Sequence, residues 1–244
     1  MDRQEPNGDA LDENYRDKLA AIGRATVSAI PLAGGVLAEI VSSVIPDQRA
    51  DRIAIYLRAL AVRVDQLESK TRESISANPE KVHLIEEGGL QSARATTQAR
   101  IDCIVEAVTR GLRAEDTEVI RKKRLLYLFG ELDEDEIALL NAYGKSYAGD
   151  DQRAFDEVDQ PAPPHLQSSE SEIAQRQLYE LGQDHLVRLG LIKKNYGSLK
   201  KGAIPEFDPR KGDFKNRLEI SYLGRMLLKE VGMALPLDVQ RGNV

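Results

Sequence analysis

The sequence predicts a mainly α protein, with an antiparallel helical bundle in its N-terminal half and a smaller α+β domain from residue 131 onward. Three observations lead there. Between Ile53 and Phe129, apolar residues recur at intervals of three and four, the period that lines up side chains on one face of an α-helix. Prolines and glycines interrupt these stripes after a few turns, which favours short antiparallel helices over a long dimeric coiled coil. Only after residue 190 does an extended, turn-rich pattern appear. The palette agrees: aromatic residues make up 5% of the chain and Trp is absent, so a core must come from Leu, Ile, Val and Ala, which suit helix packing.

Residues 1–12 are polar and acidic and read as a disordered leader with no signal or transit peptide pattern. A first helix is expected over Glu13–Ala29, ended by Pro31, since proline disfavours the α conformation in the residue before it. The stretch "IPLAGGVLAEIVSSVIP" follows, and from Ala25 to Ile45 the only charge is Glu39. Its candidate packing or membrane residues are Pro31, Gly34, Gly35, Leu37, Ile40 and Val41. The segment approaches the length of a membrane span, about 20 residues, but it is divided by Pro31 and rich in small residues. Burial within the bundle is therefore preferred to membrane contact.

Ile53, Leu57, Leu60, Val64 and Leu67 form the clearest stripe, predicting one helix over Gln48–Ile75 with Asp47 as its N-cap. A second helix is expected over Pro79–Arg110, with Gly88-Gly89 bending or dividing it and Gly111 as its C-terminal cap. A third runs over Ala114–Phe129. "ELDEDEIALLNAYGKS" has Asp133 and Glu136 in capping-box spacing. Pro161–Pro164 lie in a loop, and a helix follows over Ser169–Arg188, its apolar side supplied less regularly by Ile173, Leu178, Leu181, Leu189 and Leu191. "DPRKGD" between "AIPEF" and "RLEIS" predicts a hairpin with a basic tip, and "YLGRMLLKEVG" closes the domain as a helix.

Charge is unevenly placed. Arg188 to Gly232 carries eleven basic and five acidic residues, a net +6, whereas residues 1–185 sum to −12. Lys193, Lys194, Lys200, Lys201, Arg210, Lys211, Lys215 and Arg217 are thus the candidate contacts for an anion or nucleic acid. Chemistry is sparsely signalled. No phosphate-cradling glycine loop occurs, and His83, His165, His185 and Cys103 have no zinc-site spacing. Cys103 is expected as a small buried hydrophobe and His185 as a structural histidine. The acidic run Glu131–Glu136 is expected to be a capped helix start. Arg121–Arg124 is expected to be a solvated face paired with nearby acids. No catalytic, cofactor or metal site is expected.

Two resemblances add to this reading. The order "LDEDEIALLNAY", a helix running into "HLVRLGLIKK", a basic hairpin, and "LEISYLGRMLLKEV" resembles a winged-helix domain, with Leu189–Ile192 at the helix–strand turn and Ser221–Gly224 opening the last helix. That resemblance implies DNA binding through a recognition helix and wing. The helix here carries Glu170, Glu172, Glu180 and Asp184, which phosphate repels, so phosphate contact would fall to the wing. The whole chain also resembles the abortive-infection alpha class of bacterial phage-defence proteins through its step Leu186, Arg188, Leu189, Gly190, Leu191, Ile192. This implies host defence.

The preferred expectation is a non-enzymatic effector or regulator in phage defence, cytoplasmic or peripheral at the inner membrane. It would act through a protein partner or self-association and would expose its apolar segment to a membrane or partner. The alternatives are a winged-helix DNA-binding regulator, with nucleic acid held by the basic wing, and a docking or oligomerisation module.

Overall fold

The structure, a computed structural model, describes residues 48–146, 151–200, 202–209 and 212–233. The protein is mainly helical: the described residues form eight α-helices, one short 3-10 turn and four short strands. The chain divides into two compact units, residues 1–130 with Glu230–Gly232, and residues 131–229 with 233–244.

In the first unit, α1 spans Gln48–Asp65, α2 Ser69–Ala77, α3 Pro79–Arg94, α4 Gln98–Arg113 and α5 Asp116–Gly130. The expected stripe is buried throughout, from Ile53 to Leu67. It does not lie on one helix, however. The chain turns after Asp65, the Leu67 amide donating to the Val64 carbonyl at 2.9 Å, so that Leu67 enters the core from the connecting turn and Ile75 from the next helix. The proposed N-cap, Asp47, lies outside the described residues.

The expected Pro79–Arg110 helix is also two helices, but the division is not at Gly88-Gly89. It falls at Ala95–Thr97, where Ala95 is extended and Thr97 caps α4 by accepting from the Arg100 amide. Gly88 stays helical because a neighbour needs the space. A Cβ there would lie 2.3 Å from Tyr56 Oη and 2.8 Å from Val108 Cγ2. Tyr56 is fully buried and donates to the Ile85 carbonyl at 3.0 Å. Gly111 likewise lies inside α4, where a Cβ would meet Leu84 Cδ2 at 2.3 Å. It is a packing glycine, and the helix ends at Ala114. α1 packs on α3 and α4, α5 on α3 and α4, and α2 against α3 and α4.

In the second unit, α6 spans Glu134–Lys145, α7 Glu170–Arg188 and α8 Tyr222–Glu230, with a 3-10 turn at Gln152–Phe155. Both long helices start at complete capping boxes, Asp133 with Glu136 and Ser169 with Glu172, each satisfying two amides that helix geometry leaves open. β1 (Ile192–Asn195) pairs antiparallel with β4 (Arg217–Ile220), and β2 (Phe207–Asp208) with β3 (Asp213–Phe214). The tip hairpin is therefore shorter than the sequence suggests. "RLEI" pairs with "IKKN" rather than with "AIPEF", because a register that places Ile192 opposite Ile220 puts two buried side chains together.

The junction that begins this sheet and the last helix is built from few atoms. Gly190 turns with φ +72°, a conformation that favours glycine. Ser221 Oγ donates to the Gly190 carbonyl at 2.6 Å and accepts from the Gly224 amide at 3.0 Å. A Cβ on Gly224 would lie 2.2 Å from the Leu191 carbonyl oxygen.

Candidate functional site

A groove of about 380 Å³ opens in the second unit between the start of α6, residues 157–161 and the middle of α7. Its chemistry is one-sided. Asp133, Asp135, Glu157 and Asp159 line it together with Leu178 and Leu181, and no basic residue among the described residues does. Leu178 and Leu181 are 67% and 61% exposed. The sequence had these leucines as the packed side of α7, but only Leu186 is buried on that helix. Ile173 is exposed as well.

The walls are held by hydrogen bonds rather than by apolar contact alone. Glu136 is buried and does two jobs. One carboxylate oxygen accepts the Asp133 amide at 3.1 Å, and the other meets His185 Nδ1 at 2.6 Å, joining the start of α6 to the end of α7. Gln183 Nε2 donates to the hydroxyls of Tyr143 and Tyr179 at 3.1 and 3.2 Å. Burial, and Tyr179 beside it, push the Tyr143 phenol up to about 12, so it is neutral and serves as an acceptor. Arg176 ties the loop to α7, donating to the Pro161 carbonyl at 3.0 Å and to Glu180 at 2.7 Å. His185 thus links α7 to α6. Its partner lies 49 residues away, a separation at which no local pattern could reveal it.

The basic residues of the hairpin are less available than their number suggests. Lys193 pairs with Glu219 at 3.0 Å, Lys194 with Asp213 at 2.6 Å and Lys215 with Glu206 at 2.5 Å. The hydrogen bond from Lys194 holds the Asp213 carboxyl below its ordinary value, and Asp213 in turn raises Lys194. Arg217 is exposed on β4, and Lys200 is exposed beyond β1. Lys201, Arg210 and Lys211 lie outside the described residues, as do Pro31, Gly34, Gly35, Leu37, Ile40 and Val41. Among the described residues no helix is long and apolar enough to cross a membrane.

Other chemistry-bearing groups are engaged. Cys103 is half-buried, and burial first, then Asp102, raises its thiol, which keeps it protonated and poorly nucleophilic. His83 Nε2 meets Tyr127 Oη at 2.8 Å with Glu86 3.6 Å from Nδ1, but burial raises the Tyr127 phenol, the opposite of activation. Of the basic run on α5, Arg121 pairs with Glu118, Lys122 with Glu230 and Lys123 with Glu80. No group of three or more His, Cys, Asp or Glu among the described residues is placed to hold a metal. No known family model, curated protein or solved structure matches the chain.

Proposed function

We propose that the chain is a non-enzymatic effector or regulator that works by docking protein, with its C-terminal unit as a winged-helix-like docking module and its N-terminal helices as an antiparallel bundle. The observation that carries the proposal is the face of α7. In a DNA-reading winged helix this helix would offer cations to phosphate. Here it offers exposed Leu178 and Leu181 beside a groove rimmed by carboxylates. Exposed apolar side chains beside polar ones are the composition of a protein contact surface. The context of phage defence rests on the resemblance carried by Leu186–Ile192. The proposal does not rest on the apolar segment 25–45.

The test is protection against phage in cells producing the wild type or Leu178→Glu/Leu181→Glu. Both leucines are exposed, so the double variant is expected to fold with an unchanged circular dichroism spectrum and melting temperature. Protection is expected to be lost. A folded variant that protects as well as the wild type would overturn the docking role of this face.

A further inference from the structure

We infer that the groove receives the exposed face of α8 from a second copy of this chain, giving a head-to-tail self-association. The inference rests on the docking role proposed for α7 and names its occupant.

Charge defines what the groove can hold. Of the carboxylates that line it, Glu136 is bound to His185, and Glu157 lies 3.8 Å from Lys145. Asp133, Asp135 and Asp159 are exposed and have no ion pair among the described residues. Leu178 and Leu181 are exposed in the same groove. The complementary surface therefore offers cations and apolar side chains together.

The last helix presents such a surface. Tyr222, Arg225, Met226 and Lys229 recur at i, i+3, i+4 and i+7, which places all four on one side of α8. All are exposed, Tyr222 at 81% and Met226 at 41%. Neither Arg225 nor Lys229 has an ion pair among the described residues, in contrast to Lys193, Lys194 and Lys215, each held by a carboxylate. The helix is fixed with this side outward. Leu227 and Leu228 are buried on its other side, Gly224 lies against the Leu191 carbonyl, and Ser221 Oγ holds the first turn through the Gly224 amide. An amphipathic helix laid in a groove of opposite charge is a recurrent mode of recognition between proteins.

The contact lies between chains. The residues lining the groove fall between Asp133 and Gly182, and none belongs to α8, whose outward face stays exposed in its own chain. Groove and helix face are different surfaces, and a contact between them is heterologous: chains build rings or filaments rather than closed pairs. A nine-residue helix seated in one groove buries less than the roughly 1,600 Å² of a standard stable interface, so association depends on concentration. Its charge component is screened by salt.

Sedimentation velocity of the full chain tests this. Wild type is expected to grow beyond one chain as concentration rises at low salt, and to shift back toward a single chain as salt is added. Leu178→Glu/Leu181→Glu removes the groove and leaves the helix face. Tyr222→Ser/Arg225→Glu removes the helix face and leaves the groove, and both of its substitutions suit the first turn of a helix. Each variant alone is expected to remain a single chain with an unchanged circular dichroism spectrum. An equimolar mixture is expected to form a one-to-one pair, since only one intact groove then meets one intact helix face. The milder Arg225→Gln is expected to weaken association and to flatten its salt dependence. A wild type that stays a single chain at every concentration overturns the inference, as does a mixture that fails to pair. Self-association that survives either double variant overturns it too. If the groove variant loses phage protection while the wild type stays a single chain, the docking role stands, the inference fails, and the occupant is a different protein with exposed cations.

Discussion

Gly88 and Gly89 are neighbours on one helix and both are buried, yet only one of them must be glycine. A methyl group on Gly88 would overlap the Tyr56 hydroxyl and Val108, whereas at Gly89 the nearest atom is Tyr56 Cε1 at 3.8 Å, an ordinary contact. Gly88→Ala is therefore expected to destabilise the first unit by about 1–3 kcal/mol, the usual cost of overpacking. Gly89→Ala is expected to be neutral or stabilising by about 0.4–1 kcal/mol, because alanine restricts the unfolded chain without straining this backbone. Urea unfolding of the two variants measures the split, and equal effects would contradict it. Gly224 obeys the same rule against a harder neighbour, since the atom facing it is a backbone oxygen with no rotamer to change. The glycines that carry the resemblance, Gly190 and Gly224, are thus explained by the backbone junction they build.

The β1–β4 pair shows how an element this short is held. Four residues a side make a weak ladder, and it is supported by cross-strand polar contacts: Lys193 and Asn195 both reach Glu219, while Lys194 reaches Asp213. Asp213 is held below its ordinary 3.8 by Lys194 and the Phe214 amide, and Glu219 below its ordinary 4.5 by Asn195 and Lys193. A depressed folded-state pKa means that the unfolded chain takes up the proton first. The stabilisation is complete above these ordinary values and is lost as pH falls through the lower folded ones. Hydrogen exchange at the strand amides, corrected for its intrinsic pH dependence, is expected to show constant protection on the neutral side and declining protection below about pH 4.5. In Asp213→Asn that decline is expected to shrink. Asp213, with its side chain 35% exposed, is screened by solvent, so its effect is local to these strands.

At the scale of the whole molecule, the charge asymmetry that the sequence displays is only partly an available field. The net +6 of Arg188 to Gly232 remains, but three of its lysines are committed to carboxylates of the same segment, and α7 carries Glu170, Glu172, Glu180 and Asp184, whose carboxylates repel phosphate. Duplex DNA is therefore expected to bind at low salt only, without sequence preference, and to release before physiological ionic strength. Fluorescence anisotropy against random and cognate-locus DNA checks this. Tight, sequence-selective binding at physiological salt would instead favour the DNA-binding regulator.

The sequence by itself determined the helical class, the buried stripe from Ile53 to Leu67 and the capping box at Asp133. Each is a local matter, decided by periodicity or by a side chain meeting an amide three residues away. Only the tertiary structure decided where helices break, which glycines are obligatory and which leucines stay exposed. Gly88 and Gly111 look like helix breakers until Tyr56 and Leu84 are seen filling the space they leave. Leu178 and Leu181 look like core until the partners of α7 are known. Glu136 and His185 become one linkage only when α6 is laid beside α7. Whether an apolar face is covered depends on residues distant in sequence, and periodicity records the face without recording its partner.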